Sequence, residues 1–110
     1  MVRSKSEKIL ADLFYKKGIP YIYEPMLNLK NGHYIFPDFA LLNLRKKKTI
    51  YWEHFGVISD SEYAAKSIRK LDEYERQGLI SGDNLIFSTE STDNPLNTRL
   101  VEAKIDKFLF

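Results

Sequence analysis

Two segments, YIFPDFALLN at residues 34–43 and TIYWEHFG at 49–56, narrow the folds open to this chain. Both are runs of aromatic and branched residues of strand length, and only the basic stretch around RKKK separates them. They read as neighbouring strands of one sheet. Each also carries a carboxylate, Asp38 and Glu53, in otherwise apolar surroundings. Alternation puts Tyr51, Glu53 and Phe55 on one face and Ile50, Trp52 and His54 on the other. Asp38 shares a face with Phe36, Ala40 and Leu42. Pro37 has no amide hydrogen, so it calls for an edge, a bulge or a splayed strand just before Asp38. Two such strands bring Asp38 and Glu53 together where the ladder opens. A pair of carboxylates in a partly dry site is costly unless a cation sits between them, which is the physical case for a metal site.

The flanking sequence supplies helices for this sheet. Ser4 and Glu7 have capping-box spacing, and Ile9, Leu10, Leu13 and Phe14 form an apolar stripe, predicting a helix from about Ser6 to Lys17 that Gly18 and Pro20 end. YIYEPML reads as a first strand, and Asn31-Gly32 as a hairpin turn into the 34–43 segment. A second helix follows TIYWEHFG, with Ser59, Asp60 or Ser61 as its cap, Ile68 and Leu71 on its apolar side, and Gly78 closing it. NLIFSTE is a short buried strand. The last segment is an amphipathic helix with Leu100, Val101, Ile105 and Phe108 inward. The second helix suits a parallel crossover. The expectation is an α/β fold of order αβββαβα, a mixed sheet flanked by helices on both faces, forming one domain over residues 1–110.

Composition sets limits on the chemistry. The 110 residues contain no cysteine, so disulfides and thiolate zinc sites are excluded, and with only His33 and His54 a histidine-dominated metal site is disfavoured. A divalent cation here must be held by carboxylate oxygens, which favours Mg²⁺ or Mn²⁺. The formal charge of +2 does not by itself announce a nucleic-acid binder. No apolar run has signal-peptide or membrane-spanning length, so a cytoplasmic protein is the expectation.

Taken together, PDF at 37–39, Glu53 in YWEHFG, and Lys70 with Tyr74 in KLDEY resemble the PD-(D/E)XK nuclease superfamily, in the branch with a WEHFG-type third motif. The resemblance runs from RSKSE to LIFSTES, nearly the whole chain. It implies a restriction-endonuclease-like fold and a nuclease that hydrolyses DNA through Mg²⁺-activated water. It further implies that Asp38, Glu53 and the His54 backbone carbonyl ligate the metal, with Glu7 assisting from the first helix. One departure is clear: Phe55 stands where the family usually has lysine. Lys70, arriving from the second helix, is expected to supply that charge as a catalytic residue. Arg45, Lys46, Lys47, Lys48, Arg69 and Tyr74 are expected at the DNA. Partners beyond DNA would be a helicase or other fused module, or a second copy in a homodimer.

Each residue also has a plainer reading. Glu7 can simply complete a cap, Glu24 can be solvated, the RKKK run can be a soluble turn, and Lys70 with Tyr74 an exposed helix pair. Trp52, Phe36, Phe39 and Tyr51 are expected in the core. Thr89 and Glu90 fall near the expected edge of the site. If the lost lysine abolished catalysis, the alternative is an impaired, nuclease-like module that binds DNA or protein.

Overall fold

The computed structural model describes residues 4–56 and 60–110. Helix α1 spans Lys5–Lys16, capped by Ser4, whose side chain accepts the Glu7 amide at 3.1 Å. Five short strands follow: β1 (Tyr21–Tyr23), β2 (Leu27–Asn28), β3 (Tyr34–Ile35), β4 (Phe39–Asn43) and β5 (Lys48–Phe55). Helix α2 (Ser61–Arg76), strand β6 (Leu85–Thr89) and helix α3 (Thr98–Phe108) complete the order. Asp60 caps α2; Ser59 lies outside the described residues.

The main sheet has the order β1-β4-β5-β6, antiparallel up to β5 and parallel between β5 and β6. It is therefore mixed, and α2 is the crossover between its parallel strands. Leu10, Phe14, Phe39, Trp52, Val101 and Ile105 form the larger core between the sheet and α1 with α3. Phe14 meets Phe39 and Trp52 edge-on, at ring separations of 5.1 and 5.3 Å, the arrangement aromatic quadrupoles prefer. Tyr74, Leu79 and Leu85 form a smaller cluster on the α2 side, joined by Leu71 and Tyr51. Helices thus cover both faces.

Two expected strands are each broken. YIYEPML splits at Glu24, which adopts φ 49°, followed by Pro25. YIFPDFALLN splits at Phe36-Pro37-Asp38. The pieces β2 and β3 pair as a separate hairpin, with the expected Asn31-Gly32 turn carrying Gly32 at φ 84°. That hairpin leans on α2: the Lys30 amide donates to Gln77 Oε1 at 2.9 Å, and Leu27 and Ile35 pack on the Tyr74 cluster. Three expected core positions are exposed instead. Phe36, on the interrupted stretch, turns out to solvent at 51%, as do Ile68 on α2 and Leu100 on α3. The inward face of α2 is narrow, because only a small cluster lies beneath it.

The outer rim of β6 is partly covered. Leu85 accepts from the Gly82 amide and donates to the Ile80 carbonyl, and the Phe87 carbonyl accepts from Lys104 Nζ at 2.6 Å.

Candidate active site

The β4–β5 register pairs Phe39 with Trp52 and Ala40 with Tyr51. Continued by one residue, it sets Asp38 opposite Glu53 on the α2 side of the sheet, where directly facing side chains are close neighbours. The ladder ends there because Pro37 has no amide to offer. In place of a ladder bond, Asp38 Oδ2 accepts the His54 amide at 2.7 Å. The Asp38 carbonyl in turn accepts the Glu24 amide at 2.8 Å, so the kink at Glu24 helps fix this acid.

The two acids raise one another's cost of ionisation. Glu53 is 2% exposed. Burial first, and then the Asp38 charge, pushes its pKa up to about 7, against the pull of Lys70. Asp38 is also raised, chiefly by burial and partly by Glu7, while the His54 amide and Lys70 work the other way. Glu7 accepts from Ser4 Oγ at 3.1 Å through Oε1, but its buried Oε2 has no hydrogen-bond partner. Asp38 and Glu53, whose ionisation burial opposes, are oxygen donors of the kind a hard cation takes.

Lys70 reaches this site from α2. Its Nζ is ion-paired with Glu53 Oε1, and its side chain remains 42% exposed. Tyr74, one turn on, donates to Glu53 Oε2 at 3.3 Å and lies under the Lys70 ammonium. Tyr74 is wholly buried, which overturns its expected place at the DNA. Burial also raises its phenol, so it stays a neutral donor. Phe55 packs near Phe87, with rings 6.1 Å apart, and borders the same cleft.

That cleft has a volume of about 190 Å³. Asp38, Glu53, His54 and Phe55 line the sheet side, and Tyr63, Lys66, Ser67 and Lys70 line the helix side. The helix residues follow i, i+3, i+4, i+7 spacing, one face of α2. Lys66 and Ser67 were not singled out by sequence, although that spacing from Lys70 was available. A larger hollow of about 610 Å³, between the end of β6 and α3, lacks paired acids.

The imidazole of His54 points away from the cleft, as alternation requires. Its Nδ1 lies 2.8 Å from Ser88 Oγ and its Nε2 2.7 Å from Glu90 Oε1. Trp52 Nε1 donates to Ser88 Oγ at 3.0 Å, and Ser6 Oγ donates to Glu90 Oε1 at 2.5 Å. Glu90 is held ionised, lowered first by Ser6 and then by His54. A carboxylate only accepts, so Nε2 carries a hydrogen. This network ties α1, β5 and β6 together behind the acids.

The basic turn lies elsewhere. Lys48 begins β5, five residues from Glu53, which is about 16 Å of extended chain. Its Nζ pairs with Asp83 at 2.5 Å. Arg45, Lys46 and Lys47 are exposed in the same turn, away from the cleft, and Arg69 is exposed on α2. Glu24 contributes its backbone to Asp38. Among the described residues, no three His, Cys, Asp or Glu side chains form a metal-holding group, and no helix is long and apolar enough to cross a membrane.

No family model matches the chain. It is similar to an uncharacterized protein of Methanocaldococcus jannaschii, 34% identical over 116 residues that cover 92% of this chain. The chain spans only 9% of that relative's length.

Proposed function

We propose that this chain is a metal-dependent nuclease domain of restriction-endonuclease-like fold that hydrolyses DNA phosphodiester bonds. The observation that carries the reading is the convergence of Asp38, Glu53 and Lys70 in one cleft, from β4, β5 and α2. Support for the fold comes from the helix, antiparallel strands, crossover helix and parallel strand in that order.

Asp38 and Glu53 would hold Mg²⁺ or Mn²⁺. With no third side chain grouped with them, backbone oxygen such as the His54 carbonyl, together with water, would complete the shell. The bound cation supplies Lewis-acid chemistry, activating water and offsetting charge on phosphate oxygens. The His54 amide holds the Asp38 carboxylate in orientation. Tyr74 keeps Glu53 directed into the cleft. Lys70 neutralises Glu53 at rest and, being half exposed, can turn its ammonium to the developing phosphate charge. It thus occupies functionally the position that Phe55 leaves empty.

The test uses plasmid and single-stranded DNA with Mg²⁺ or Mn²⁺, compared with Asp38→Asn and Glu53→Gln proteins. Cleavage by the parent and its loss in both variants is expected; cleavage that survives both changes overturns the reading. A second reading, a nuclease-like module that binds without cutting, is favoured by Phe55, an apolar and 4% exposed side chain at the usual lysine position. It expects metal-independent DNA binding and no cleavage.

A further inference from the structure

Within the cleft, the resting charges are unevenly committed. Lys70 is engaged with Glu53, so its charge is spent on an acid. Asp38 and Glu7 add further negative charge nearby. A DNA phosphate approaching these groups needs a cation on the cleft wall that is not already paired. Lys66 meets that need. It lines the cleft one turn before Lys70, is exposed, and among the described residues has no carboxylate partner. Tyr63 stands one turn before it, on the same wall. Its hydroxyl oxygen accepts the Gly56 amide at 3.2 Å, and among the described residues its own hydrogen has no acceptor. The Gly56 contact holds that hydroxyl at the mouth of the cleft, beside the end of β5. Ser67, by contrast, spends its hydroxyl on the Tyr63 carbonyl at 2.9 Å.

We infer that Lys66 and Tyr63 form a phosphate-docking pair, gripping a backbone phosphate of DNA as the strand enters the cleft opposite Asp38 and Glu53. The inference rests on the nuclease reading for its ligand, and it moves the electrostatic footprint from the remote Arg45–Lys48 turn to the wall of the cleft itself. The two donors differ in kind. Lys66 displaces a counterion from the phosphate, whereas Tyr63 contributes a neutral hydrogen bond and releases none.

The test measures binding of a short labelled DNA duplex over a range of KCl, in the Asp38→Asn background so that the DNA stays intact. Adding Lys66→Met should weaken binding and flatten the slope of log affinity against log salt by about 0.9, the share of one phosphate contact. Adding Tyr63→Phe should weaken binding about threefold to tenfold and leave the slope unchanged. Lys47→Met, in the distant turn, serves as the comparison and should do less than Lys66→Met. An unaltered slope in Lys66→Met, an equal loss in Lys47→Met, or no duplex binding at all overturns the inference. A Mn²⁺-induced rise in melting temperature of the parent is scored separately. Its absence sinks the metal-dependent hydrolase reading, whereas the duplex-binding comparison decides the docking pair.

Discussion

Lys70 of α2 and Glu53 of β5 form an ion pair in which the acid is almost wholly buried and the base is half in solvent. The asymmetry leaves Glu53 undercompensated: its pKa stands at about 7, against 4.5 for an ordinary glutamate. Between those values the folded protein binds more protons than the unfolded chain. Stability therefore falls as pH rises from about 4.5 to 7, and no further change from this group follows above that range. Glu53→Gln should remove this component, flattening the melting-temperature profile between pH 5 and 8. Asp38→Asn should lower the Glu53 midpoint by removing a neighbouring negative charge, measurable by NMR titration of the Glu53 carboxyl.

Under the proposed function, the same titration would set the pH dependence of metal binding. A cation competes with the proton on Glu53, so Mn²⁺ should raise the melting temperature more at pH 8 than at pH 6. At a concentration 100 times Kd the gain is about 2.7 kcal/mol at the higher pH. A shift of equal size at both pH values, or one that persists in Glu53→Gln, would count against Glu53 as a ligand.

Lys70→Ala should lower DNA cleavage by about 100-fold, the effect of losing one donor to a developing oxyanion. Phe55→Lys places an ammonium at the other border of the cleft. In the Lys70→Ala background it should recover about tenfold of the lost rate, since one charge at either position serves the same phosphate. Single-turnover cleavage with saturating Mg²⁺ checks both changes.

Behind the sheet, Glu90 joins Ser6 to His54. Its carboxyl sits below the ordinary glutamate range, so its contribution is present above the unfolded pKa and lost as pH falls through the folded one. Glu90→Gln should cost about 1–2 kcal/mol near pH 7, with a penalty that shrinks on acidification. Urea melts at neutral and acid pH would separate these cases.

Phe14 meets three aromatic rings at the centre of the larger core and is fully buried. Phe14→Ala should destabilise by about 3–5 kcal/mol through lost transfer energy and the cavity left behind. Denaturant midpoints would measure the loss.

Where hydrophobic alternation was strict, sequence located the sheet, its flanking helices and the faces of its strands. Tyr51, Glu53 and Trp52 fall on the expected faces of β5, and Ser4 and Gly78 mark helix ends as their chemistry dictates. The capping reading of Glu7 has its counterpart in the Ser4 bond to its amide, while its Oε2 is buried without a hydrogen-bond partner. Breaks in the strands were harder to see. A proline signals interruption but not direction, so the outward turn of Phe36 and the independent β2–β3 hairpin were not legible. Exposure of Ile68 and Leu100 depends on how much surface the sheet offers each helix, which periodicity does not encode. The partnership of Glu90 with Ser6 spans 84 residues and leaves no local signal at all.

The contacts along the outer side of β6 bear on how this domain meets other molecules. With Leu85 satisfied by Ile80 and Gly82, and the Phe87 carbonyl occupied by Lys104, an incoming polypeptide meets a sheet edge already covered at those groups. Strand addition on that flank must first displace the Lys104 ammonium from the Phe87 carbonyl. The same lysine sets a charge on the rim of β6, which disfavours edge-to-edge stacking of two copies there.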